Sequence, residues 1–269
     1  MKLLESSILQ IVEEAGGTWG IVIEDLDEDR QWGWNAEETF LAESLIKVPI
    51  MAAVFAAVEE KRIHLHNYVC VHKEEMVGGT GILQHLTPGT HMTIHDLLTL
   101  MIIQSDNTAT NILIDLIGVE SIQKTLSDMG MKESEFHRKM MIYPAHMERK
   151  NIMSARDASA LLRKIATGTF ISRHACERMV QILKRQQLCG GLSSRLPSQH
   201  PNFIGGIPSW QLASKSGWDD DRQHDIGILY VGQKTLTISA LSKKGDALRA
   251  KQALGKIGSA VFTYVNSKK

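Results

Sequence analysis

Three short clusters in this chain combine residue types suited to attack on an acyl group: Ser44 with Lys47, Ser105-Asp106-Asn107, and Lys215-Ser216-Gly217. A serine hydroxyl is a weak nucleophile near neutral pH and needs a base within hydrogen-bond reach. A lysine three residues further along a helix shares its face, and burial beside a second cation would leave that lysine partly neutral and able to take the proton. Lys215 is the candidate second cation, and with the Ser216 hydroxyl it could attract a carboxylate. Each cluster alone carries little weight. Ser121 and Lys124 also stand three apart, and they read as a solvated helix face.

Ser44 differs from Ser121 in the segment it opens. The run Val48-Pro49-Ile50-Met51-Ala52-Ala53-Val54-Phe55-Ala56-Ala57-Val58 reads as a buried helix over 44–60, with Pro49 tolerated because it falls in the opening turns. The start of a buried helix offers free backbone N–H groups beside the serine. Further helices are predicted over 93–103 behind a Thr93 cap, and over 107–117, 121–129, 154–166 and 172–187. An amphipathic N-terminal helix precedes a hairpin whose strands cover 18–24 and 31–35. Strands over 211–215, 226–231 and 236–241 precede a closing helix over 247–265. The pattern predicts an α+β fold: an antiparallel β-sheet flanked by N- and C-terminal helices, plus an inserted all-α lobe. We expect residues 1–42 and 190–269 to form the sheet lobe and 43–189 the helical lobe, with the active site in the cleft between them.

The 269 residues carry 30 basic and 30 acidic side chains, so no net field gathers nucleic acid or an anionic membrane. Glu13 and Glu14 interrupt the first apolar stretch before it reaches the length of a secretion signal, and no later run could span a bilayer. The chain as written is expected to be cytoplasmic, and secreted only with a leader outside it. Cys70, Cys176 and Cys189 suit free thiols. His64, His66, His72, His85, His91 and His95 lie between the first two clusters, and although His64 and His66 could share one face of an extended segment, no acidic or cysteine ligand joins them at metal-site spacing, so neither metal nor cofactor is expected.

Written as S-x-x-K, S-D-N and K-S-G in this order, the three clusters resemble the class A β-lactamases and related penicillin-recognising serine hydrolases. The resemblance implies that Ser44 is acylated by a β-lactam, that Lys47 and Ser105 move protons, and that Lys215 with Ser216 and Gly217 binds the substrate. It assigns Asn107 to the substrate's side-chain amide and the backbone N–H groups of Ser44 and Trp218 to the oxyanion. Asp106 braces the loop. The activity implied is β-lactam hydrolysis, as in antibiotic catabolism and resistance. A DD-peptidase or esterase of the same fold, and a penicillin-binding protein that keeps its acyl adduct, remain alternatives.

Two departures bear on turnover and specificity. Class A enzymes activate the deacylating water with the glutamate of an E-x-x-L-N element, which this chain lacks. Taking Arg138 as the opening arginine of that loop puts Met140 at the glutamate's place. Release of the acyl group is then expected to be slow, unless Glu148 folds back as the base or Lys47 takes up carbon dioxide as its class D counterpart does. Secondly, an arginine often lies after K-[ST]-G on the next strand to bind a carboxylate, whereas counting puts Asp225 near that point, leaving Arg222 as a stand-in from the turn.

Overall fold

The computed structural model describes residues 1–141, 149–198, 204 and 206–267. Its centre is α2 (Lys47–Glu59), in which every residue from Lys47 to Phe55 is buried. A helix that is apolar on all sides has to be enclosed by others. Around it lie α3 (Ile94–Ile103), α4 (Asn107–Ile117), α5 (Val119–Asp128) and α7 (Arg173–Lys184). Thr93 caps α3 as its sequence predicts, accepting the Asp96 N–H at 3.1 Å.

Five strands form one antiparallel sheet: β1 (Thr18–Asp25), β2 (Arg30–Trp34), β7 (Trp210–Asp219), β8 (Arg222–Val231) and β9 (Lys234–Lys243), in the order β2-β1-β9-β8-β7. Both faces of the sheet are covered. Ile21, Ile23, Leu229 and Ile238 pack with α1 (Lys2–Ala15) and α8 (Ala247–Asn266), whereas Val22, Ile226 and Ile228 join the helical core on the other side. This alternation is the period of two expected of strands. It gives the α+β architecture read from the sequence pattern.

β7 is longer than its apolar pattern suggested. It pairs with β8 as far as Asp219 opposite Arg222, leaving only Asp220 and Asp221 in the turn. Lys215, Ser216, Gly217 and Trp218 therefore all lie on an edge strand held rigid by its neighbour. Two small sheets had no signature in the sequence pattern. One pairs β3 (Thr39–Leu41) with β6 (Ile152–Ser154), and the other β4 (Tyr68–Val71) with β5 (Thr90–Thr93). The remaining helix, α6 (Ala155–Thr167), packs against β1 and β9. Among the described residues, no helix is long and apolar enough to cross a membrane.

Candidate active site

The helix predicted from Ser44 onward is α-helical only from Lys47. Glu43–Ile46 form a tighter 3-10 turn, with Leu45 N–H bonded to Ala42 O at 3.0 Å. Glu43 enters that turn with φ 44°, a left-handed conformation costly for a residue with a side chain. The turn leaves Ser44 half-buried one helical step before Lys47, which is fully buried. β7 lies directly against it: a Cβ on Gly217 would come within 2.9 Å of Ser44 N and 3.1 Å of Glu43 Cβ. Only glycine allows the strand this close, and the approach brings β7 alongside the Ser44 N–H.

Lys47 Nζ lies 2.7 Å from Ser105 O, 3.0 Å from Ser105 Oγ and 2.8 Å from Asn107 Oδ1. From the opposite wall, Lys215 Nζ donates to the same Ser105 Oγ at 3.1 Å and to Ser216 O at 2.7 Å. As an ammonium, Lys47 would donate to all three oxygens. As a neutral amine it can donate to the two carbonyl oxygens and accept from a hydroxyl. Burial drives Lys47 well below the ordinary lysine range, the Lys215 charge adds to this, and Asp106 opposes it. Burial likewise lowers Lys215, to about 7, against the pull of Asp225. The two amines thus flank one hydroxyl in a dry site where losing a proton is easy.

Ser105 is fully buried with φ 52°, and its neighbours hold it in this strained geometry. Asp106, capping α4, accepts the N–H groups of Ala109 at 2.9 Å, Ile82 at 2.7 Å and Leu83 at 2.9 Å. Thr80 Oγ donates to Ser105 O at 2.6 Å, and Asn107 N–H donates to Thr80 O at 3.0 Å. Spacing alone could not reveal this brace from residues 78–83, although the Gly78-Gly79-Thr80-Gly81 run marks a loop able to approach a backbone closely. Asp106→Ala strands three N–H groups, of which those of Leu83 and Ala109 are buried, and is expected to cost about 3–5 kcal/mol in urea denaturation. A loss below about 1 kcal/mol would show that the brace is dispensable.

Of the other residues singled out by sequence, Trp218 is 41% exposed and lines a cavity beside β7. Arg222 is committed elsewhere, reaching Glu43 at 3.0 Å, Asp219 at 3.2 Å and Asp221 at 2.6 Å. A substrate carboxylate would have to compete with three carboxylates for it. These contacts also show where two of the neighbouring aspartates go: Asp219 at the end of β7 and Asp221 in the turn both pair with Arg222. Glu148 lies outside the described residues. Met140 is clasped by Asn111, whose Oδ1 accepts the Met140 N–H at 2.7 Å and whose Nδ2 donates to Met140 O at 3.0 Å. This fixes the Met140 backbone to α4, a short way along the helix from the S-D-N element. Among the described residues, no group of histidine, cysteine or acidic side chains could hold a metal ion.

A model of the beta-lactamase enzyme family matches residues 3–265. The chain belongs to that family. Curated relatives include a beta-lactamase of Rhodobacter capsulatus, 26% identical over 233 residues, 85% of this chain and 76% of that protein. Another is beta-lactamase AER-1 of Aeromonas hydrophila, 24% identical over 261 residues, 89% of this chain and 78% of that protein. The fold matches the crystal structure of a beta-lactamase from Sphaerobacter thermophilus with a TM-score of 0.89 at 28% identity, over 98% of this chain and 97% of that one. It also matches the structure of PBP-A with a TM-score of 0.86 at 22% identity, over 99% and 97%. This member of the beta-lactamase family is therefore class A-like, with an α+β fold and a small-molecule β-lactam as the substrate the family implies.

Proposed function

We propose that this protein is a serine β-lactam hydrolase that passes through an acyl-enzyme on Ser44. The carrying observation is the shared contact of Lys47 Nζ and Lys215 Nζ with Ser105 Oγ, at 3.0 and 3.1 Å. Neutral Lys47 takes the Ser44 proton as Oγ attacks the lactam carbonyl, and the oxyanion forms against the N–H groups of Ser44 and Trp218. When the tetrahedral intermediate collapses, the ring C–N bond breaks and the nitrogen takes the Ser105 hydroxyl proton. A lysine Nζ–H replaces that proton across the hydrogen bond. The product is an ester on Ser44, and a water molecule must release it. Asn107 accepts from Lys47 through Oδ1 and donates to Gly78 O at 3.1 Å, so its amide stands between the proton relay and the wall where an acyl side chain would lie.

One observation favours a second reading, a penicillin-binding protein that holds its adduct. The backbone position fixed by Asn111 carries Met140, a side chain that cannot act as a base. A mutant of the fold neighbour PBP-A, 23% identical to this chain, has been captured as an acyl-enzyme complex with penicillin G, which supports an acylation-competent fold. Hydrolysis of a chromogenic cephalosporin followed together with intact-protein mass separates the readings. Steady turnover supports the hydrolase and a persistent single adduct the binder. With no turnover and no adduct, both fall.

The acylation rate should rise with pH along a limb set by Lys47, well below the ordinary lysine range. Below that limb Lys47 is an ammonium and cannot accept the proton. In Lys215→Met the repelling cation is gone, so Lys47 keeps its proton to higher pH and the limb moves upward. Single-turnover acylation measured across pH checks the sign, and a limb that stays put or moves down would remove Lys47 as the base.

A further inference from the structure

The acyl-transfer reading gives the oxyanion two N–H groups, those of Ser44 and Trp218, and these lie on separate elements, the 3-10 turn and β7. Each has an acidic neighbour in the chain: Glu43 precedes Ser44, and Asp219 follows Trp218. Arg222 opens β8 directly opposite Asp219, one residue from the Trp218–Gln223 pair. Its guanidinium joins the two sides of the site. Nη1 donates to Glu43 Oε1 at 3.0 Å and to Asp219 Oδ2 at 3.2 Å, and Nη2 lies 2.6 Å from Asp221 Oδ1. The Arg222 and Glu43 side chains are only 18% and 24% exposed, so their pair escapes much of the screening that weakens surface ion pairs.

The Glu43 backbone needs such a hold. Its φ of 44° is a strained conformation that persists only where the surroundings over-determine it. Gly217 packs against the Glu43 Cβ on one side, and Arg222 holds the carboxylate. Two residues earlier the chain is tied separately: His224 Nε2 donates to Leu41 O at 2.9 Å, while its Nδ1 accepts the Ser242 N–H at 3.1 Å. β8 thus fixes the chain entering the turn through His224 and the turn itself through Arg222. Burial raises the Glu43 carboxyl above the usual range; the Arg222 hydrogen bond and charge pull it down, the Asp219 charge adds to the rise and Arg138 opposes it. Because desolvation outweighs the attraction, the pair adds little to stability. What it supplies is a fixed geometry.

Two donors stabilise one oxyanion only if both lie about 2.7–3.1 Å from it, and misplacing a group by about 1 Å costs on the order of 10²-fold. β7 is held by its ladder with β8, so Trp218 has a fixed place in the sheet. The Ser44 N–H belongs to a short turn and has to be registered against that strand. We propose that Glu43 and Arg222 are positioning residues, whose ion pair sets the Ser44 N–H against the Trp218 N–H. Both act through the backbone of the residues beside them and neither touches the substrate. A substrate carboxylate directed to Arg222 meets the charges of Glu43, Asp219 and Asp221, which argues against a direct binding role. The inference rests on the acyl-transfer reading above and deepens it.

Single-turnover acylation by a chromogenic cephalosporin, followed against its concentration, gives the acylation rate constant and the substrate dissociation constant separately. The proteins compared are the wild type, Glu43→Ala, Glu43→Gln, Arg222→Gln and the double variant Glu43→Ala with Arg222→Gln, each checked for a cooperative thermal transition. Glu43→Ala and Arg222→Gln should each lower the rate constant by about 10- to 100-fold and leave the dissociation constant within about twofold of wild type. The double variant should be no slower than the slower single one, because both remove the same tie. Glu43→Gln keeps an oxygen that can accept from Arg222 and should lose less than Glu43→Ala. A rate constant within about threefold of wild type in either folded single variant overturns the proposal. So do losses that multiply in the double variant, or an Arg222→Gln effect that falls mainly on the dissociation constant, which makes Arg222 a substrate ligand; in all these cases the acyl-transfer reading survives. If one single variant does not fold, the other decides by the same criteria. If the wild type is not acylated at all, the acyl-transfer reading itself fails and takes the positioning pair with it.

Discussion

Ser44→Ala should give no covalent adduct with any β-lactam and should lower turnover by at least about 10⁴-fold. No hydroxyl of the cluster can take over. Ser105 Oγ is fully buried between two amines, 3.0 Å from Lys47 Nζ and 3.1 Å from Lys215 Nζ. Ser44 by contrast is half-buried beside its own backbone N–H, with Gly217 drawn up against it. The substitution deletes one oxygen at a half-exposed turn, so stability should change by no more than about 0.5 kcal/mol. Intact mass after exposure to penicillin G, read beside the thermal midpoint, checks both halves of this expectation. A full-mass adduct on the Ser44→Ala protein would place the nucleophile elsewhere and end the proposed mechanism.

Met140→Glu should shorten the lifetime of the acyl adduct by roughly 10²- to 10⁴-fold, the range a positioned general base supplies. The Asn111 clasp is what makes the position suitable. Both bonds to residue 140 run to its backbone, so the substitution leaves them intact and the new carboxylate inherits a fixed starting point. Met140 is partly buried against the helical core, and partial desolvation raises a carboxyl toward neutrality, where it is a better base. Met140→Gln, with the same length and no basic group, should leave the lifetime unchanged. Decay of the adduct mass after a single acylation gives the rate directly. An adduct that decays alike in wild type and Met140→Glu would place the water-activating group outside this position.

Much of the architecture was legible because it is written locally. The uninterrupted apolar run after Lys47, the Thr93 cap and the short apolar run at 226–231 each report what a short segment does, and the helices and strands lie within a few residues of their expected ends. The exceptions have non-local causes. The 3-10 turn at Glu43–Ile46 lies against β7 at Gly217, a neighbour that no local pattern reports. β7 runs on to Asp219 because β8 pairs with it throughout. The β3–β6 and β4–β5 pairs are too short for either strand to show a pattern alone.

The same division runs through the site. The contiguous motifs Ser44-Lys47, Ser105-Asp106-Asn107 and Lys215-Ser216-Gly217 marked the three candidate segments through their residue types, whereas the meeting of Lys47 and Lys215 at Ser105 came from the fold. Tertiary structure alone decided what surrounds them. Residues 78–83 brace S-D-N, Asn111 grips Met140, Arg222 pairs with Glu43, Asp219 and Asp221, and Asp225 faces Ser216 with an oxygen unpaired. These are pairings between residues up to 179 positions apart. A hydrogen bond or ion pair depends on separation in space, and spacing along the chain fixes that only within a helix turn or a hairpin.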